Sequence, residues 1–375
     1  MLSKQPKVAL VHDDFIQKGG AESLFATIAI IWPEAPIYTS LVNWKKIPKS
    51  IEKKRVKTSF LQKIPFAIKL YKGFLPLFPF AFESFNFSKY DIVISSTTRF
   101  AKGIVTGPNT VHVCYINSTP RFLWDKKATN QYLPEWLMFL ATPVTNQLKK
   151  WDKAASSRVD FYIANSHNVQ HNIKRIYGHE SEVIYPFADL DYFKLPKVHN
   201  WELKSKDYYL IVARLVKWKR VDIAIKAALT LNANLIIVGT GPDEKRLKKL
   251  AGGNPKIEFI GRVNRKRLRE LYQNAQALIM TQKEDFGISA VEAQACGTPV
   301  IAYKHGGQAE IIIDKESGVF FEKQTRDSLQ DAILAHSKVK WTRPKIRKNS
   351  LRFSREVFVS KIKKQVESVY ASTRQ

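Results

Sequence analysis

Ten short runs of β-branched and apolar residues, separated by helical stretches, constrain this chain more than any other feature. "VALVHD", "DIVISS", "VHVCYI", "FYIANS" and "EVIYP" punctuate the first half, and "YYLIVAR", "LIIVG", "IEFIG", "ALIM" and "PVIAY" the second. Runs this apolar have both faces covered, the pattern of parallel strands joined by crossover helices. Two such series in succession predict an α/β chain of two Rossmann-like doubly wound domains facing a cleft. The first domain is expected over residues 1–190 and the second over 200–345. The seam falls in 187–205, where prolines and charges replace periodic pattern. Residues 346–375 supply a terminal helix expected to pack back toward the first domain. Ser354 can cap it, Phe353 and Phe358 can staple its start, and Phe358, Ile362, Val366 and Val369 form one apolar stripe.

At 375 residues the chain suits two domains, and 45% hydrophobic with 25% charged residues reads as globular. No apolar run approaches the roughly 18 residues needed to span a bilayer. The opening "MLSKQPKVALVHDD" shows no secretory pattern, and Cys114 and Cys296 sit in apolar contexts that predict reduced, buried thiols. These features predict a cytoplasmic protein. A formal net charge of +28 favours an anionic partner: nucleic acid, an anionic membrane or a phosphorylated substrate. A lysine-rich surface kept soluble by its charge is the plain alternative.

The segment "EDFGISAVEAQAC" at 284–296 sets Glu284 at a strand end and Glu292 within the following helix. Ligands of open α/β sheets bind where strands end. Two carboxylates in an apolar segment are costly unless something satisfies them, and vicinal hydroxyls of a sugar are suitable donors. The amides of Phe286, Gly287 and Ile288 open the helix, whose amino end favours an anion. Hydroxyl pairs combined with phosphates describe a sugar nucleotide. The alternative is that both acids merely cap the turn and helix.

"EDFGISAVE" resembles the Glu-x7-Glu motif of retaining glycosyltransferases of family 4, which have the GT-B architecture. "VHDDFIQKGGAE", "VARLVKWKRVDIAIKA", "ANSHNVQHNIKRIYG", "VIYPFADLDYF" and "GTGPDEKRL" recur in the family's order, most closely in the mannosyltransferase-like branch of bacterial surface-polysaccharide synthesis. The resemblance implies that Arg214 and Lys219 hold the donor diphosphate, that Glu284 contacts the transferred sugar and Glu292 the ribose, and that Gly19 and Gly20 approach the diphosphate from the opposite domain. Arg214 ends an apolar strand, where an unpaired guanidinium is costly. Where family members carry a histidine, this chain has Asn117, followed by Thr119, Pro120, Arg121, Trp124 and Asp125 of the family's type. Asn117 can meet the sugar but cannot shuttle a proton. The "DLD" at 189–191 has the form of a metal-binding pair, but the resemblance implies neither metal nor cofactor, the donor being a co-substrate. "GTGPDE" lacks the third glycine of a dinucleotide fingerprint and reads as a turn after a strand.

Residues 52–82 interleave Lys53, Lys54, Arg55, Lys57, Lys63, Lys69 and Lys72 with aromatic and aliphatic residues. This predicts either a membrane-surface element or a helix packed on its own domain. The combined expectation is a retaining hexosyltransferase peripheral on the inner membrane face. It would move mannose from GDP-mannose, or a sugar from a UDP donor, to a glycan or lipid-linked acceptor. An epimerase or phosphorylase on the same fold is the first rival, and an inactive relative binding membrane or nucleic acid the second. The donor-site order of acids and cations argues against specific nucleic-acid recognition.

Overall fold

A computed structural model of the chain describes residues 6–125, 135–197 and 207–373. It forms two compact units, one of Met1–Tyr185 with Phe358–Gln375 and the other of Pro186–Val357. Residues 198–205 of the expected seam lie outside the described residues.

The first unit contains β1 (Val8–His12), β2 (Ile37–Thr39), β3 (Val56–Thr58), β4 (Ile92–Thr97), β5 (Val111–Ile116), β6 (Phe161–Ala164) and β7 (Glu182–Val183), in the order β3-β2-β1-β4-β5-β6-β7. The second contains β8 (Tyr209–Val212), β9 (Leu235–Val238), β10 (Ile257–Gly261), β11 (Leu278–Met280), β12 (Val300–Tyr303) and β13 (Gly318–Phe321), in the order β10-β9-β8-β11-β12-β13. Every ladder in both sheets is parallel. Each sheet therefore starts in its middle and winds outward in both directions. The order reverses between β1 and β4 in one unit and between β8 and β11 in the other, and at such a switch point adjacent connections diverge and leave a crevice. The central strands β4 and β5 are buried along their whole length, as strands covered on both faces must be. Among the described residues, no helix is long and apolar enough to cross a membrane.

One carboxylate fixes the switch point of the first unit. Asp13, just past β1, accepts from the Thr97 hydroxyl (2.8 Å), the Thr98 N–H and hydroxyl (2.6 and 3.0 Å), and the N–H groups of Arg99 (3.1 Å), Phe100 (2.9 Å) and Ala101 (2.8 Å). The turn after β4 is wrapped around it. Deeper in the same unit, the fully buried Lys102 pairs with Asp152, whose second oxygen accepts from Trp124 Nε1 (2.7 Å) and the Tyr177 hydroxyl (2.8 Å). Trp124, retained in the family-like segment after Asn117, thus has a packing role.

The terminal helix Arg355–Ser372 starts as expected, with Ser354 Oγ accepting from Val357 N–H at 3.3 Å. Phe358, Ile362, Val366 and Val369 are buried, and Phe358 meets the Tyr115 ring edge-on at 5.9 Å. Both cysteines are free and buried, and burial pushes each thiol up to about 12.

Burial alone would raise the Asp13 carboxyl. The charges of Arg99 and His12 and the amides of Thr98 and Ala101 outweigh it and hold the group below the ordinary carboxylate range. Its folded value lies below its unfolded one, so its stabilisation is complete above about pH 4 and is lost as pH falls through the folded value. Asp13→Asn should destabilise the first unit by about 2–4 kcal/mol at pH 7. Urea unfolding followed from pH 7 down to pH 3 should show the wild-type advantage shrinking with acid.

Candidate functional site

In the second unit the site is built where β8 and β11 end. Past Val212 the chain is laced to the turn after β9: Ala213 N–H donates to Val238 O (3.1 Å), Leu215 N–H to Thr240 O (3.0 Å) and Asp243 N–H to Leu215 O (3.0 Å). A Cβ at Gly239 would lie 1.9 Å from Ala213 O, and one at Gly241 2.1 Å from Leu215 O. "GTGPDE" is the turn the sequence indicates, but its glycines also admit a second backbone at a distance no other residue allows.

That lacing presents Arg214 and the turn Lys217–Lys219 at the strand end. Arg214 is exposed, lies beyond β8, and makes no side-chain hydrogen bond or ion pair with the described residues. This corrects the argument from a costly buried guanidinium, since water solvates the group. Lys219 turns inward, where its ammonium pairs with the Glu284 carboxylate. Lys219 and Glu284 are only 13% and 17% exposed, so their attraction is little screened. The Thr281 hydroxyl donates to Lys219 O at 2.8 Å and adds a second tie across the switch point.

Glu284 is held from three sides. Gln282 Nε2 donates to its carboxylate at 2.7 Å, its own N–H donates to Gln308 Oε1 at 2.9 Å, and its carbonyl accepts from Gly307 N–H at 2.9 Å. The fully buried Gln308 also donates to Gln282 O (2.6 Å) and Tyr303 O (3.1 Å). A Cβ on Gly307 would meet Asp285 O at 2.2 Å. Gln308 and the Gly306–Gly307 pair were missed in the sequence, where the only signal is "HGGQAE" after the last apolar run.

Phe286 is a core residue, its ring 5.5 Å from Phe353. Gly287 adopts φ +107° as N-cap of the helix Ile288–Ala295, which has no side-chain cap. The amides of Gly287 and Ile288 meet no acceptor among the described residues. Glu292, on that helix, accepts from the Tyr272 hydroxyl at 3.0 Å. Burial pushes its carboxyl up to about 7; the Tyr272 bond and Arg265 only partly offset this, and Asp189 adds to it. Where the sequence pointed to a bound ligand as the partner of these two carboxylates, Lys219 and Tyr272 already partner them within the chain. Asp189, of "DLD", is paired with Arg265 at 2.6 Å.

In the first unit, Asn117 follows β5 and donates from Nδ2 to Ser96 Oγ (2.9 Å), and its carbonyl accepts from Asn165 Nδ2 (2.6 Å). Its Oδ1 meets no partner among the described residues. Gly19 is the N-cap and Gly20 the first residue of the helix Gly20–Ile31, in an exposed turn after β1. Asp13, which sets that end of the sheet, was also missed; its signal is the acid pair directly after the first apolar run.

Residues 194–352 match the family described as Glycosyl transferases group 1. An uncharacterized glycosyltransferase of Methanocaldococcus jannaschii is 26% identical over 271 residues, 67% of each chain. A D-inositol 3-phosphate glycosyltransferase of Mycobacteroides abscessus is 29% identical over 167 residues, where this chain spans 38% of that protein's length. Among solved structures, sucrose-phosphate synthase from Thermosynechococcus elongatus aligns with TM-score 0.70 at 18% identity, covering 97% of this chain and 100% of that one. The Anabaena protein HepE in complex with UDP aligns with TM-score 0.69 at 17% identity, covering 96% and 100%. The two doubly wound units are thus of the GT-B fold.

The raised Glu292 carboxyl carries a signed consequence. Its folded value exceeds its unfolded one, so stability falls as pH rises from about 4.5 through about 7. Glu292→Gln should therefore gain about 1–3 kcal/mol over wild type at pH 8 and little at pH 4. The melting of the second unit across that range measures it; no gain at pH 8 would contradict the burial of this charge.

Proposed function

We propose that the chain is a retaining glycosyltransferase of family 4 that takes its sugar from a nucleotide donor. The observation that carries this reading is the Lys219–Glu284 pair at the β8/β11 switch point, beside the uncapped helix at Gly287. A nucleoside diphosphate leaves with growing negative charge. Lys219, the solvated Arg214 and the amides of Gly287 and Ile288 are a set of donors and cations able to take it. On this reading Glu284 accepts from hydroxyls of the transferred sugar and orients Lys219, and Glu292 accepts from the ribose. Asn117, with an acceptor to spare, meets the sugar from the other domain, and the Gly19–Gly20 turn approaches the diphosphate.

No proton shuttle is needed in this scheme. The acceptor hydroxyl attacks the anomeric carbon on the face the diphosphate leaves, and the departing phosphate oxygen takes the hydroxyl proton. The lysine and arginine fill the part a divalent metal plays in other transferases, so turnover should survive a chelator. The resemblance favours GDP-mannose, and a structural neighbour solved with UDP supports testing UDP-sugars alongside it.

The acceptor is proposed to be a glycan or lipid-linked glycan at an anionic membrane surface, on the inner face. Of residues 52–82, Arg55 turns inward and caps the helix Gly20–Ile31 through Ala29 O (3.2 Å) and Trp32 O (2.8 Å), which removes it from the surface set. Lys63, Lys69 and Lys72 remain exposed, alongside Phe66 (74% exposed), Leu70 and Phe80. Aromatic rings among lysines suit the interface of an anionic leaflet.

Thermal shifts across GDP-, UDP- and ADP-sugars should single out one base, and stabilisation by none of them would refute the donor. Glu284→Ala and Arg214→Ala should each lower kcat about 100-fold or more; Arg214→Ala should melt as wild type does, whereas Glu284→Ala should also melt lower because it strands the Lys219 charge. Normal turnover in either would refute the site. Phe66→Ser with Leu70→Ser should cut sedimentation with anionic vesicles about tenfold at low salt; equal pelleting would remove this surface from the assignment.

A further inference from the structure

Beneath the Gly19–Gly20 turn lies a charged group that the proposed chemistry does not yet use. Glu22 stands in the first turn of the helix Gly20–Ile31 and is 5% exposed. Its carboxylate lies near its own N–H and the Gln17 side chain, both of which favour the charged form. A Cβ on Gly19 would lie 2.7 Å from Glu22 Oε2, so the tip of the carboxylate lies against the turn. The amides of Gly20 and Ala21 meet no acceptor among the described residues.

The charged neighbours of Glu22 come from two further segments. His12, at the end of β1, stacks on Phe25 at 4.7 Å and has Nδ1 3.0 Å from Ser96 O. Asp14 follows it and is paired with Arg99 from the turn after β4. Asp13 is consumed by its own hydrogen bonds. Burial pushes the Glu22 carboxyl above the ordinary range; His12, the Glu22 N–H and the Gln17 side chain offset part of this, and Asp14 adds to it. A second anion arriving at the turn acts in the same direction as Asp14.

We propose that Glu22 is a positioning residue that stands in for the donor phosphate in the free protein and accepts a proton from solvent when that phosphate reaches the Gly19–Gly20 turn. The protonated acid then donates to a phosphate oxygen where the carboxylate would have repelled it, and the Glu22 N–H is released toward the ligand. No bond to the donor forms. Donor binding is thereby coupled to proton uptake and weakens as pH rises. The inference rests on the reading that this turn faces the donor diphosphate.

Isothermal titration of the full chain with GDP-mannose and with UDP-glucose, in buffers of different ionisation enthalpy from pH 6 to 8.5, counts the protons. The diphosphate diester of a sugar nucleotide does not titrate in this range. Glu22→Gln should take up fewer protons per donor bound than wild type, the difference being at most one. Its affinity should also lack a pH-dependent decline that can reach about tenfold per pH unit. Glu292 contributes equally to both proteins, so the difference isolates Glu22. Gln17→Ala removes a neighbour that favours the charged carboxylate and should move the uptake profile to higher pH without altering the charge. Equal proton counts in wild type and Glu22→Gln, or an unmoved profile in Gln17→Ala, would overturn the coupling while leaving the nucleotide-sugar reading intact. Failure of both donors to bind would overturn that reading and this one together.

Discussion

The candidate site of the second unit depends on one ion pair. Lys219 and Glu284 come from connections that leave β8 and β11 in opposite directions, and a parallel sheet leaves a gap there by construction. Two largely buried charges of opposite sign bridge that gap. Removal of either would strand the other in a poorly solvated place, a cost of several kcal/mol. The surroundings are arranged around the pair: Gln282 donates to the carboxylate, Gln308 holds the Glu284 backbone, Thr281 ties down the lysine turn, and paired glycines let the backbones close in.

The two units solve the same problem with different chemistry. Both wind outward from the first strand, and both place an acid just past a strand of the switch point. In the first unit Asp13 spends its charge on the turn after β4, four of whose amides it accepts. In the second, Glu284 is paired with the ammonium of Lys219. A carboxylate saturated by backbone N–H groups is a structural anchor, whereas one balanced by a flexible ammonium can exchange its partner. The same residue class thus serves a static role in one unit and an adaptable one in the other.

Much of this architecture was legible because parallel strands covered on both faces must be continuously apolar. All ten runs read as strands contain strands, from "VALVHD" to "PVIAY". Those passed over, β2, β3 and β13, lie toward sheet edges, where "VKT" sits in a basic run and "GVFF" follows a charged turn. The candidate acids and the lysine were also visible, since charges interrupting apolar pattern stand out. Their partners were not. Gln308 and Tyr272 act through contacts 24 and 20 residues away along the chain, and no local pattern announces them. Arg214 and Arg55 show the same limit in opposite directions: one looked buried and is solvated, the other looked exposed and caps a helix.

The discontinuity of the first unit bears on how this molecule can be taken apart. Its last structural element is delivered by the far end of the chain, after the whole second unit has been made. A fragment ending at residue 185 would bare the Tyr115 side of its sheet and invite aggregation. Nascent chains emerging from the ribosome face the same exposure until Phe358 and its stripe arrive. Dissection of the two halves therefore calls for grafting the final helix behind residue 185 through a short linker, and not for a single cut.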